Sequence, residues 1–121
     1  VGRFCHFYAT SKIEIGKKVL IADKVYLSDN LHGYKDINIP VIDQAVEQLS
    51  PVIIKDGAWL GENVCVVGAS VGLNSVVGAN SVVTRDIPDY CVAAGAPAII
   101  IKRFDLEKKE WRRTDKEGNF I

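Results

Sequence analysis

The chain has no methionine, only two histidines and only three cysteines, and its charges cancel. Each shortage excludes something. Cys5, Cys65 and Cys91 form an odd set without C-x-x-C spacing, which argues against a disulfide framework or a cysteine zinc site and for a reducing cytoplasm as the expected compartment. Cys65 and Cys91 fall on or beside repeat walls, where a thiol serves packing. Two histidines, His6 and His32, are one short of a three-histidine zinc centre, so no metal is expected. Fifteen basic side chains balance fifteen acidic ones, leaving no net field to draw in nucleic acid or an anionic membrane surface. No apolar run reaches the length of a membrane span, and no signal peptide is visible. The missing initiator and an opening at Val1-Gly2-Arg3-Phe4, part-way into a repeat, suggest a processed or truncated chain with further repeat on its N-terminal side. At 121 residues, 48% hydrophobic and 25% charged, one domain of ordinary composition is expected.

A six-residue period dominates what is present. From Ile54 the chain reads I-K-D-G-A-W, L-G-E-N-V-C, V-V-G-A-S, V-G-L-N-S-V, V-G-A-N-S-V and V-T-R-D-I-P. Ile54, Leu60, Val66, Val71, Val77 and Val83 lead these units, and Ala58, Val64, Ser70, Ser75, Ser81 and Ile87 follow four places on. The same phase occurs earlier, with Ile15, Ile21 and Leu27 leading and Val19, Val25 and Leu31 behind them. A helix repeats every 3.6 residues and a simple strand every two; a period of six marks a parallel β-helix. The leading aliphatic points into the bore, a small residue makes the corner, and each coil buries its apolar side by stacking on its neighbours. Only V-V-G-A-S, residues 66–70, is one residue short.

Residues 1–98 form the repeat domain, with residues 1–14 an irregular early coil and 15–32 one three-sided turn. Residues 33–51 leave the period, and a loop this long in a compact domain usually carries function. One or two helical turns are expected between Asp43 and Leu49, ending before Pro51. Residues 99–121 carry many charges with Phe104, Leu106, Trp111 and Phe120 interspersed. They are expected to cap the open strand edges of the solenoid, with Asp105 to Arg113 either a short helix or an extended hairpin.

The hexads, followed by V-V-T-R-D-I-P and A-A-G-A-P-A-I-I-I-K, resemble the hexapeptide-repeat acyltransferases over roughly residues 13–103. They are similar in particular to the galactoside, maltose and polysaccharide O-acetyltransferase branch. The resemblance implies a left-handed parallel β-helix, a homotrimer, and acetyl-CoA bound in grooves between subunits. It also implies that His32, which ends V-L-I-A-D-K-V-Y-L-S-D-N-L-H, is the catalytic base. An imidazole titrates near neutral pH and can take a hydroxyl proton as the oxygen attacks a thioester. Trp59, in A-W-L-G, matches a tryptophan that walls the pantetheine groove. Further cofactor contacts carry over to Gly78, Ala79, Thr84, Arg85, Ala93, Gly95, Ala96, Pro97 and Lys102. Small residues among these let a ligand approach the backbone, and the cations suit phosphate.

Three departures from the family pattern stand out. Ile99 occupies a place often held by lysine or arginine, which removes one phosphate contact. The short hexad alters a corner near Trp59. Gly2 and Thr10 stand where the galactoside enzyme has an asparagine and an aspartate that contact sugar, so the acceptor need not be a galactoside; Asp29, Asn30, Tyr34 and Asp36, which surround His32, are candidate substitutes. The expected activity is acetyl transfer from acetyl-CoA to a saccharide hydroxyl, direct from donor to acceptor. A streptogramin-type antibiotic acetyltransferase and a non-catalytic assembly protein are the alternatives. A zinc enzyme like γ-carbonic anhydrase lacks its third histidine here.

Overall fold

A computed structural model describes all 121 residues. The chain is 41% strand and 2% helix, wound as a left-handed parallel β-helix with one excursion and a terminal cap. Coil 1 runs through β1 (His6–Tyr8), β2 (Ile13–Ile15) and β3 (Leu20–Ile21). Coil 2 opens with β4 (Tyr26–Ser28), leaves the prism as an arm bounded by β5 (Asn30–His32) and β6 (Val46–Gln48), and returns as β7 (Val52–Ile54) and β8 (Trp59–Leu60). Coil 3 comprises β9 (Cys65–Val67), a single bridge at Val71 and β10 (Val76–Val77). Coil 4 comprises β11 (Val82–Val83), a bridge at Ile87 and β12 (Cys91–Gly95).

Parallel pairing stacks these pieces into three faces. Face I aligns Phe7, Leu27, Val66 and Val83. Face II aligns Ile15, Ile54, Val71 and Ile87. Face III aligns Ile21, Leu60, Val77 and Ala93. From Ile21 onward, and apart from the partly buried Ile15, these inward positions are almost wholly removed from water. Burial of such an aliphatic stabilises by roughly 1.5–3 kcal/mol each.

The register locates every departure from the period on one edge. Face II to face III takes six residues in each coil, as in Ile54 to Leu60, and face III to face I also takes six, as in Leu60 to Val66. Between faces I and II the step changes each time: Phe7 to Ile15, Leu27 to Ile54, Val66 to Val71, and Val83 to Ile87. The hexad reading therefore needs three corrections. Leu31 begins the arm rather than lining the bore. Ala69, not Ser70, is the buried residue of the short unit. Ile87 is an inward residue of face II paired with Val71, so V-T-R-D is a second shortened step.

The two regular edges share one backbone device. Three positions before each inward residue of face III stands a left-handed residue: Lys18, Gly57, Asn74 and Tyr90. Three before each inward residue of face I stand Phe4, Lys24, Asn63 and Asn80. Asparagine tolerates this conformation because its side chain bonds locally. Asn63 Nδ2 also donates to Asn80 Oδ1 at 3.0 Å across adjacent coils. Ser75 and Ser81, buried in the corners, are satisfied: Ser75 Oγ donates to the Pro88 carbonyl at 2.6 Å, and Ser81 Oγ accepts the Gly95 N–H at 3.0 Å.

The expected helix between Asp43 and Leu49 does not form. Only Val41–Asp43 make a 3₁₀ turn, and β6 takes Val46–Gln48 into antiparallel pairing with β5. The tail resolves the other alternative as a hairpin. Strand β13 (Ala98–Asp105) folds back antiparallel on β12, and β14 (Glu110–Arg113) pairs with β13. This meander covers the last parallel strand of face III, with Arg103 and Arg112 over the Phe120 ring at 5.5 and 4.6 Å.

Candidate active site

The arm leaves the prism at a hydrogen-bonded root. Asp29 is fully buried, and its carboxylate accepts the backbone N–H groups of Thr10, Ser11 and Lys12 at 2.7–2.8 Å, together with Asn30 Nδ2 at 3.0 Å. Burial alone would raise the Asp29 pKa. The bonds from Asn30 and the three backbone donors outweigh it and hold the carboxyl far below the usual carboxylate range. Asn30 is also buried and donates to the Tyr8 carbonyl at 3.2 Å. Expected as acceptor contacts, both side chains are instead committed to joining the coil 1 corner to coil 2. Thr10 is similarly engaged, its hydroxyl donating to Gln48 Oε1 at 2.7 Å.

Gln48 closes the root from the returning strand. Its Nε2 donates to the Asp29 carbonyl at 2.8 Å, and the Leu49 N–H donates to the same oxygen at 2.8 Å. His32 stands two residue pairs outward from Asn30 and Gln48, opposite Val46, with its side chain exposed. Gly33 N–H donates to the Ala45 carbonyl at 2.9 Å and continues the pairing. Tyr34 and Asp36 lie beyond, both exposed. Asp36 Oδ1 accepts the Asn38 N–H at 2.9 Å, while Gln44 Nε2 donates to the carbonyls of Asp36 and Ile39 at 2.9 and 2.8 Å. Sequence reasoning missed Gln44, Gln48 and the clasping role of Thr10. A glutamine in a loop has no spacing signature, and these bonds span as many as 38 residues.

The remaining site residues lie on another part of the prism. Trp59 is 48% exposed on the outside of face III, in register with Leu20 on one side and Val76 on the other, and Val92 continues the row. Beside this apolar stripe runs a ladder of small residues, Ala22, Gly61, Gly78 and Ala94, the first three each linked to the next coil through a backbone bond. A Cβ on Gly61 would meet the Ala79 nitrogen at 2.8 Å, so this corner requires glycine. Ala79 is exposed beside Gly78, whereas Ala93 is buried in the bore. Ala93 can therefore offer a ligand backbone groups only. Gly95, Ala96 and Pro97 make the exposed turn into the cap, and Lys102 pairs with Val92 and Arg113 on face III.

Thr84 and Arg85 belong to the I–II edge of coil 4, the edge that carries the arm. They line a groove of about 530 Å³ that Pro97 and Ile99 border from the cap. One chain thus brings His32, Thr84 and Arg85 to one edge, His32 standing two coils above the others, or about 10 Å at the usual strand spacing. Trp59, Gly78 and Ala79 lie on face III and its edge with face I, so the width of face I separates them from His32. Of the remaining features, no group of three or more His, Cys, Asp or Glu side chains is placed to hold a metal ion. No helix is long and apolar enough to cross a membrane.

This geometry defines a class, a hexapeptide-repeat prism with one armed edge and one small-residue edge. The family description "Hexapeptide repeat of succinyl-transferase" matches residues 51–85. WbbJ of Escherichia coli K12, provisionally named a lipopolysaccharide biosynthesis O-acetyl transferase, is 40% identical over 93% of this chain and 61% of its own. Galactoside acetyltransferase, crystallised in complex with coenzyme A, superposes with a TM-score of 0.72 at 28% identity, over 99% of this chain and 66% of its own. The polysialic-acid-specific acetyltransferase NeuO gives a TM-score of 0.70 at 36% identity, over 96% and 52%. The chain carries the hexapeptide repeat and is similar in sequence and fold to galactoside and polysaccharide O-acetyltransferases. It spans less than two thirds of the length of these relatives.

Proposed function

We propose that this protein transfers the acetyl group of acetyl-CoA to a hydroxyl of a saccharide, with His32 as general base in a direct transfer. The observation that carries this reading is the position of His32. It is exposed at the root of a clasped arm, on the one edge where the repeat is free to vary. The saccharide acceptor rests on WbbJ, galactoside acetyltransferase and NeuO, whose names tie acetyl transfer to lipopolysaccharide, galactoside and polysialic acid. In the proposed step the acceptor oxygen attacks the thioester carbonyl while the imidazole takes its proton. The carbon–sulfur bond then breaks, and the proton passes to the departing thiolate to give CoA and the O-acetyl ester. Tyr34 and Asp36, on the arm beyond His32, are the side chains free to meet the acceptor.

The separation of His32 from Trp59 and the Gly61–Gly78 ladder supports a site completed by a second copy. In a trimer, the small-residue edge of one subunit would lie against the armed edge of the next. The pantetheine chain would run along Trp59, Gly78 and Ala79, with the turn Gly95 to Pro97 and Lys102 towards its other end. An assay with acetyl-CoA and a panel of saccharide hydroxyls tests the reaction, with a streptogramin as a control acceptor. His32→Ala should reduce kcat/KM by about 10²- to 10⁴-fold, the usual worth of a positioned base, with CoA affinity unchanged. Full activity in that variant would remove His32 from the mechanism, and turnover of the streptogramin alone would move the acceptor to the antibiotic class.

A further inference from the structure

The groove beneath coil 4 brings together two cations from distant parts of the chain, Arg85 and Lys116. Its walls come from the coil 4 corner, Thr84 to Pro88, and from the start of the cap, Pro97 to Ile100. Its third wall is the turn at Lys116 and Glu117 in the tail. Ile99 lies in the same groove as Lys116. Neither Lys116 nor Arg85 has a carboxylate within ion-pair distance, in contrast to Lys12, Lys35, Lys55 and Arg112.

The turn that presents Lys116 is held firmly. The Asp115 carboxylate accepts the N–H groups of Glu117 and Asn119 at 3.0 Å each and the Asn119 side-chain amide at 3.2 Å. The backbone closes it again, Asp115 N–H donating to the Asn119 carbonyl at 2.8 Å and Gly118 N–H to the Asp115 carbonyl at 3.1 Å. Gly118 has a φ of +92° and packs on Ile100, where an added Cβ would lie 3.1 Å from Cδ1. Phe120, under Arg103 and Arg112, anchors the segment from the other side. A lysine on such a turn loses only its own side-chain freedom on meeting an anion, because its backbone is already ordered. Two acids also line the groove: Asp86, whose Oδ1 accepts the Ser70 N–H at 2.9 Å, and Glu117, which neighbours Lys116 on the same turn.

We propose that Lys116, acting with Arg85, meets the phosphate end of the CoA donor. This rests on the acetyl-CoA reading above and adds a binding residue from the tail, outside the hexads and outside the G-A-P turn. A volume of about 530 Å³ is within the range of small-ligand sites. The groove also lies on the His32 edge about 10 Å below the arm, so the thioester and phosphate ends of an extended donor would be held at different levels of the prism.

Calorimetry with CoA and with 3′-dephospho-CoA tests the inference without any turnover. Lys116→Gln should weaken CoA binding about five- to tenfold, the worth of one partly exposed charge-assisted contact. Lys116→Arg should retain affinity, and Glu117→Gln should tighten it. If the loss disappears with dephospho-CoA, the contact is to the 3′-phosphate; if it persists, the contact is to the pyrophosphate, and either result supports the assignment. CoA affinity in Lys116→Gln within twofold of the wild type would overturn it while leaving the acetyl-CoA reading intact. Failure of the wild-type protein to bind CoA would instead overturn that reading.

Discussion

Two kinds of edge run down the same prism. On the II–III and III–I edges every step is six residues, and a left-handed residue recurs three places before each inward aliphatic. On the I–II edge no two coils agree in step, and Gly68 is the only left-handed residue between Val66 and Val71. The regular edges are held by backbone geometry that repeats coil after coil. The irregular edge is held by side chains, chiefly Asp29, Asn30, Thr10 and Gln48. Repetition of backbone geometry gives a rigid wall of uniform chemistry. Side-chain bonding permits a different solution in each coil, and on this edge it leaves His32 exposed on an arm.

The largest expected effect tests the wall. Leu60→Ala, in a fully buried bore position, should cost about 2–5 kcal/mol by transfer and cavity terms, read as a fall in Tm. A cost below 1 kcal/mol would mean that the coils adjust and that the regular region is not rigid. Next comes the root of the arm. Asp29→Asn should lower Tm at neutral pH, since an amide cannot accept the same set of backbone donors. Because the folded carboxyl titrates below its unfolded value near 3.9, its contribution is complete above about pH 4 and is lost as pH falls through the folded pKa. The difference between wild type and variant should therefore narrow in acid; a constant difference from pH 7 to pH 3 would assign the effect to packing instead.

A third test asks whether the arm can change without the wall. Replacing residues 34–44 by Asn-Gly retains His32 and closes the β5–β6 hairpin with a two-residue turn. The KM for the acceptor should rise about tenfold or more, the loss expected for one or two polar contacts, with CoA affinity unchanged. An unaltered acceptor KM would free Tyr34 and Asp36 of any role in binding. The smallest effect lies on a regular edge. Lys24 adopts φ 59° where the next coils place Asn63 and Asn80, so Lys24→Asn should stabilise by up to about 1 kcal/mol, seen as a small rise in Tm.

This contrast also explains what could be read in advance. Period six was legible because each coil repeats the same burial, and Ile54, Leu60, Val66 and Val77 announce the bore directly. The left-handed corners were half legible, since Asn63, Asn74 and Asn80 carry the signal while Lys18, Lys24 and Tyr90 do not. His32, Trp59 and the Gly95–Pro97 turn could be singled out as candidates because they lie at fixed places relative to the hexads. The root of the arm was not legible. Asp29 and Asn30, adjacent to the histidine in sequence, invited a binding role, and only the fold shows the carboxylate beneath the Thr10–Lys12 corner. The meeting of Lys116 and Arg85 in one groove was hidden for a related reason: it depends on the hairpin turning back across the end of the solenoid.

The clasp formed by Gln48 and Leu49 on the Asp29 carbonyl has a consequence for how such a protein can diversify. It closes the excursion at its base, so the coil below experiences the same two chain ends whatever lies between them. Loop closure entropy grows only logarithmically, each doubling of length costing about 0.6 kcal/mol. New tips of quite different size can therefore be grafted onto the same socket at little thermodynamic cost, and a change of acceptor need not disturb the wall that would hold the donor.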